Sequence, residues 1–160
     1  MHSFLVRRAT RSDSRGIAQL LKIAFSSYQA MYTLEAFQHT IIDANKVEER
    51  LLEGPIWVSE RDDAIVGTVS AKPEFSSLKI RGMAVSPNAR RAGAASDLLD
   101  ACEAFAVQNG YRSLTLETTP FLTAAIRLYE RAGFKIASPV SASFFGTPIF
   151  AMEKRLEPPH

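Results

Sequence analysis

The stretch SSLKIRGMAVSPNARRAGAASDLL, residues 76–99, constrains this chain more than any other. Its first half reads as a strand that stops at Pro87, a residue with no N–H to give to a ladder. Its second half opens a helix with Leu98, Leu99, Cys102, Phe105 and Ala106 on one side. A strand that feeds a helix across a few residues has to belong to a sheet with a helix laid on its face.

The rest of the chain repeats those two periods. Phe4 to Arg8 reads as an opening strand, and Thr10 followed by Asp13 has capping-box spacing, with Asp in the usual place of Glu or Gln. Ile17, Leu20, Leu21, Ala24, Phe25 and Tyr28 recur at helical spacing. A second helical region is predicted from about Leu34 to Leu52, with Phe37, Ile41, Val47, Leu51 and Leu52 on its apolar side. GPIWVSE, RDD and AIVGTVSA read as strand, turn and strand. Gly82 is a bulge position in the strand that follows, and Asn109-Gly110 ends the next helix. RSLTLET is a strand, TAAIRLYERAGF a short helix ended by Gly133, and TPIFAMEKRL the last strand after further strand material. The expectation is a single α/β domain over residues 1–160, with a mixed sheet carrying helices on its faces.

Composition narrows the function classes. A net charge of +2 is too small to point to nucleic acid, so any anion site must be local. No apolar run approaches the roughly 18 residues of a membrane span. The lone Cys102 forms no internal disulfide, and no signal-peptide pattern precedes Arg7 and Arg8, so a cytoplasmic protein is expected. No Cys/His/Asp cluster has metal-ligand spacing, and none is expected to bind metal.

The helix start carries the chemistry. About four backbone N–H groups there lack intrahelical partners, and the helix dipole adds roughly half a positive charge. Gly93 lets a ligand approach the backbone, Ala92, Ala94 and Ala95 keep the way open, and Arg90 and Arg91 suit phosphate oxygens. A pyrophosphate fits such a place. The same residues also read as an alanine-rich helix start beside a solvated arginine pair. No Gly-Lys-Ser/Thr follows, which argues against a P-loop, and a single glycine argues against a dinucleotide fingerprint.

RRAGAA resembles the Gln/Arg-x-x-Gly-x-Gly/Ala motif of the GCN5-related N-acetyltransferases, with Arg90, Gly93 and Ala95 at its fixed positions. GMAVSP is similar to that family's acyl-CoA-binding strand, and AAIRLYERAGF to its second signature. The resemblance implies the acyl-CoA N-acyltransferase fold, a central mixed and mostly antiparallel sheet flanked by helices. It implies acetyl-CoA as cosubstrate, with the backbone of Met83, Ala84 and Val85 pairing with the pantetheine arm. The N–H groups from Arg91 through Ala92, Gly93, Ala94 and Ala95 to Ser96 would hold the pyrophosphate, with Arg90 beside them. Tyr129 would act as general acid toward the departing thiolate; by spacing alone, beside Ile126 and Leu128, it reads as core. The implied activity is acetyl transfer to a primary amine by direct attack in a ternary complex, with no covalent enzyme intermediate. Cys102, among Leu98, Leu99 and Phe105, is therefore expected in the core.

Two departures matter. Many members of that family carry a glutamate general base on the strand before the phosphate loop, where this chain has Lys79 and Arg81. Glu117 and Glu74 are the replacement candidates, each acting through water, though edge carboxylates also read as merely solvated. Leu122 stands where the family often has asparagine. The missing glutamate leaves open a second class, a catalytically silent acyl-CoA-binding sensor or interaction domain. Tyr28, Tyr32, Phe37, Phe144 and Phe145 would flank the acceptor mouth or fill core, and His39 reads as a surface or satisfied histidine. Lys79 and Arg81 favour an acceptor with a carboxylate, so a small amine or amino acid is expected rather than a protein. A homodimer is left open.

Overall fold

The computed structural model describes residues 4–90 and 93–157, the side chains of residues 139–141 excepted. Its elements run β1 (Leu5–Arg8), α1 (Ser14–Phe25), α2 (Leu34–Thr40), α3 (Ala44–Glu53), β2 (Ile56–Arg61), β3 (Ala64–Glu74) and β4 (Ser77–Val85). Then follow α4 (Ala94–Gln108), β5 (Ser113–Thr118), α5 (Thr123–Arg131), β6 (Lys135–Phe144) and β7 (Thr147–Arg155). The strands form one sheet in the order β1-β2-β3-β4-β5-β7-β6. Every pairing is antiparallel except β4 with β5. This is the mixed, mostly antiparallel sheet expected from the sequence.

Strand alternation sorts the core onto two faces. Ile56 and Val58 of β2 pack with Ile17 and Leu21 of α1 and Val47 of α3, while Trp57 between them packs with Leu98, Leu99 and Cys102 of α4. Tyr129 and Phe134 join the α4 side, their rings edge to face with centroids 5.8 Å apart. Cys102 is fully buried in that cluster, and burial pushes its thiol up to about 12, so it is an inert core residue as expected.

Local chemistry sets the boundaries. Asp13 accepts from the Thr10 N–H at 2.8 Å and from Arg7 Nη1 at 2.8 Å, which anchors the start of α1 to β1. The β2–β3 hairpin turns through Asp62 and Asp63, both at positive φ as a type I′ turn requires. The region expected to run as one helix from Leu34 to Leu52 is two helices. Thr33 caps α2, accepting from the Ala36 N–H at 3.1 Å, and Asp43 caps α3, accepting from the Lys46 N–H at 2.8 Å. The second cap breaks the run at Ile41–Asp43, and Leu52, expected on the apolar side, is 91% exposed.

The bulge expected at Gly82 shapes the molecule. Thr68 faces Ala84 and Ser70 faces Arg81, so Gly82 and Met83 together oppose Val69 alone. Gly82 takes φ +64°, the left-handed conformation of a glycine bulge. A bulge bends its strand and increases its twist. Pairing of β4 with β5 ends at Ile80 and Leu116, just before it. Beyond that point β4 stays with β3 to Val85 and β5 stays with β7 to Thr118, so the two parallel strands part.

Candidate active site

The parted strands open a cleft of about 930 Å³. Arg81 to Val85 line it from β4 and Leu116 to Thr118 from β5. The end of α1 and the following turn supply Ala24, Phe25, Tyr28 and Tyr32. The start of α4 supplies Gly93, Ala94, Ala95 and Ser96, and α5 supplies Leu128 and Tyr129.

Of the residues singled out from the sequence, Met83, Ala84, Val85, Arg90, Gly93, Ala94, Ala95, Ser96, Tyr129 and Glu117 meet in this cleft. Arg91 and Ala92 lie outside the described residues. The Ser86 N–H donates to Val66 O at 2.8 Å on the β3 side. Backbone groups of successive strand residues point to opposite edges, which turns the Val85 N–H and C=O toward the cleft. Arg90 Nε meets that Val85 carbonyl at 3.3 Å, and Arg90 Nη2 donates to Ala24 O at 3.1 Å. Arg90 therefore ties the end of β4 to the end of α1, engaging two of the five donors a guanidinium carries.

Gly93 holds φ +90° and ψ −1° at the N-cap of α4, and a Cβ built there would meet no atom within 4 Å. The Asp97 N–H takes the Gly93 carbonyl at 3.0 Å, closing the first helical turn. The N–H groups of Ala94, Ala95 and Ser96 precede that bond and have no intrahelical acceptor. Ala94 is buried and Ser96 exposed, so the small side chains leave the helix end open to the cleft. An open strand edge and an open helix N-terminus in one cleft match the two halves of an amide-bearing arm ending in a pyrophosphate.

Tyr129 is 7% exposed and still lines the cleft. Burial raises its phenol well above the ordinary range, with smaller contributions from Cys102 and Tyr32. It is therefore protonated throughout the neutral range, and its hydroxyl makes no hydrogen bond to another described residue. Tyr32 stands 4.9 Å from Phe121, centroid to centroid, in an edge-on pair, and burial pushes its phenol up to about 12. Tyr28, Tyr32 and Phe144 line the cleft, whereas Phe37 packs behind Tyr32 at 6.1 Å. His39 is exposed, as expected, and stacks on Phe145 at 3.9 Å.

The two carboxylate candidates separate. Glu117 lies at the mouth of the cleft, where Lys79 Nζ donates to its Oε1 at 2.6 Å. Glu74 pairs with Ser77 at the far end of the β3–β4 hairpin, is exposed and does not line the cleft. Ser77 and Met83 are roughly 18–20 Å apart at strand rise, beyond the reach of one bridging water, so the expectation for Glu74 is corrected. Leu122 occupies the N-cap of α5 and makes no side-chain cap, and Thr119 beside it has a buried Oγ1 with no partner among the described residues. Thr119 and Arg50 both line the cleft, and neither stood out in the sequence.

Known proteins resemble this chain in sequence and fold. Residues 17–134 match the profile of the Acetyltransferase (GNAT) family. The uncharacterized N-acetyltransferase YhfO of Bacillus subtilis is 30% identical over 136 residues, covering 81% of this chain and 89% of that protein. N-acetylaspartate synthetase of Xenopus tropicalis is 35% identical over 98 residues, covering 58% of this chain and 36% of that protein. The PaiA N-acetyltransferase of Thermoplasma acidophilum, solved in complex with coenzyme A, superposes with a TM-score of 0.83 at 16% identity over 96% of this chain and 99% of that one. The fold is therefore that of the GNAT acetyltransferases, and the chain belongs to the GNAT family.

Proposed function

We propose that the chain is an acetyl-CoA-dependent N-acetyltransferase that moves the acetyl group to a primary amine by direct attack in a ternary complex. One observation carries the reading: a single cleft joins the open edge of β4, the open N-terminus of α4 and the buried phenol of Tyr129. The backbone of Met83, Ala84 and Val85 pairs with the pantetheine arm as an added strand does. The N–H groups at Gly93 to Ser96 hold the pyrophosphate, with Arg90 fixing the end of β4 beside them.

The reaction needs three services. The acceptor must be neutral, yet an alkylamine titrates near 10. Glu117, at the cleft mouth, takes its proton through water. The nitrogen lone pair then forms the C–N bond as the C–S bond breaks. Charge developing on the acetyl oxygen meets an N–H of the Met83–Val85 edge. The departing sulfur accepts a hydrogen bond and then a proton from Tyr129, and the proton that the new amide nitrogen must shed returns to the phenol through water, so that amide, thiol and Tyr129 all end neutral.

The acceptor is a small amine or amino acid rather than a protein. The cleft is bounded by ring walls from Tyr28, Tyr32 and Phe144. One relative is named for making N-acetylaspartate, an acetylated amino acid. No helix among the described residues is long and apolar enough to cross a membrane.

A second reading, a silent acyl-CoA sensor, is favoured by the ion pair that occupies Glu117. Tyr129→Phe separates the two. In a thiol-release assay with acetyl-CoA and an amine panel, the transferase reading expects kcat to fall about 10²–10⁴-fold, with acetyl-CoA affinity retained. Undiminished turnover removes Tyr129 from its role. Acetyl-CoA binding by the wild-type protein with no turnover on any amine selects the sensor.

A further inference from the structure

The last turn of α3 holds an arginine, Arg50, that pairs with no carboxylate among the described residues. Arg50 lies three residues after the fully buried Val47, on the face that α3 turns toward the sheet. Its guanidinium rests against the bulge of β4: a Cβ built on Gly82 would come 3.0 Å from Arg50 Nη1. Its Nε is buried without a partner, and no hydrogen bond or ion pair joins its side chain to another described residue. Burial, and then the charge of Arg81, pulls the guanidinium down to about 10, with Glu53 opposing weakly. It still carries a full charge at neutral pH.

The neighbouring cations each hold an anion, although Arg81 Nε, like Arg50 Nε, is buried with no partner among the described residues. Arg81 Nη2 meets Glu53 Oε1 at 2.7 Å, and Lys79 Nζ meets Glu117 Oε1 at 2.6 Å. Glu53 is further engaged by Lys72 at 3.5 Å. The two residues that the sequence offered for an acceptor carboxylate are thus already paired, and Arg50 is left over. A partly buried cation without an anion is costly, and proteins keep one only where something supplies the missing charge. Arg50 lines the cleft, so the anion can come from a ligand.

Position decides which anion. Along β4 the order is Gly82, with Arg50 against it, then the Met83–Val85 edge, then the turn to Gly93 and the N-terminus of α4. The pyrophosphate end and the Arg50 end therefore lie on opposite sides of the reacting segment. Gly82 and Met83 are adjacent, about 3.8 Å between Cα atoms, so an anion on Arg50 sits only a few ångströms from an amine at the thioester. We infer that Arg50 binds the carboxylate of the acceptor, which makes the acceptor a free amino acid whose amine and carboxylate are separated by one or a few carbons. Gly82 serves this site twice, by bending β4 and by leaving room for the guanidinium. The inference rests on the transferase reading above.

The test compares L-amino acids, polar and apolar, with their C-terminal amides in the thiol-release assay, using wild type, Arg50→Gln and Arg50→Lys. Wild type is expected to prefer the best acid over its amide by roughly tenfold to a hundredfold in kcat/KM, the range of a charge-assisted bond. Arg50→Gln is expected to bring that ratio near one, mainly through KM, and Arg50→Lys to restore part of it. Calorimetric binding of acetyl-CoA to each variant checks that the fold and the other end of the cleft are intact. Equal kcat/KM for acids and amides in wild type overturns this inference and leaves the transferase reading standing; that comparison needs no variant. Acetylation of no amino acid or amide in the panel also overturns this inference, and the transferase reading falls with it only if simple amines lacking a carboxylate are not acetylated either.

Discussion

Gly93 and Gly110 bracket α4 and form a matched pair. Both hold left-handed φ, +90° and +77°, and a Cβ at either would meet nothing within 4 Å. Placing glutamate at either position therefore costs the backbone term alone, about 1–2 kcal/mol. For a chain of this size that lowers Tm by roughly 2–8 °C. The helix dipole makes Gly110→Glu slightly the worse for stability, because an anion suits the N-terminus and not the C-terminus. Ligand affinity should order the two variants the other way. A carboxylate at Gly93 faces the place assigned to a pyrophosphate. Each pair of unit charges about 4 Å apart repels by about 1 kcal/mol in bulk water and about 4 kcal/mol near a protein surface. Two such charges give about 2–8 kcal/mol, a loss of at least roughly 30-fold in affinity at low salt. Calorimetric titration with CoA and a thermal melt on each variant read both quantities. Gly93→Glu should lose CoA binding while Gly110→Glu keeps it at equal or lower Tm. Equal CoA affinities in the two variants would refute the assignment of the α4 N-terminus.

Two further outcomes concern the scaffold. Arg7 holds the Asp13 carboxyl down at about 2, with the Thr10 N–H assisting and burial opposing. The folded value lies below the unfolded one of about 3.9, so this stability is complete above about pH 4 and is lost as pH falls toward 2. Urea unfolding should show roughly 2 kcal/mol lost across that window, and Asp13→Asn, less stable at pH 7, should flatten the dependence; a parallel dependence in the variant would contradict the pairing. Gly54→Ala places a Cβ 2.1 Å from Ala71 O, a backbone atom that moves only with β3. It should lower Tm far more than Gly110→Ala, and equal melting would show that the α3–β3 approach is looser than described.

Much of this was legible in the sequence because periodicity and punctuation agree there. The strand-to-helix passage at 76–99, the bulge at Gly82 and the end of α4 each rest on a local pattern with one physical solution. The break between α2 and α3 was not legible, because apolar spacing continues across Ile41 and Ile42 while Asp43 supplies its cap only once the chain has turned. β6 was legible only as strand material. It is an edge strand paired on one side with β7, and none of its described side chains is buried, so no core contact among them imposes alternation. The site divided in the same way. Residues contiguous with a motif, Met83 to Val85, Arg90 and Gly93 to Ser96, could be placed at the cleft by reading along the chain. Glu74 misled because nearness to β4 in sequence became distance along a hairpin. Arg50 was invisible because EERLLE reads as a solvated helix face until the fold lays it against Gly82.

The central claim is that the cleft between β4 and β5 binds acetyl-CoA through both the strand edge and the helix start. Calorimetric titration of the purified protein with acetyl-CoA, CoA and free pantetheine tests it most directly. Tight binding of the first two is expected, with pantetheine weaker by orders of magnitude, because only the nucleotide half reaches Gly93 to Ser96. No binding of acetyl-CoA, or pantetheine bound as tightly, would contradict it.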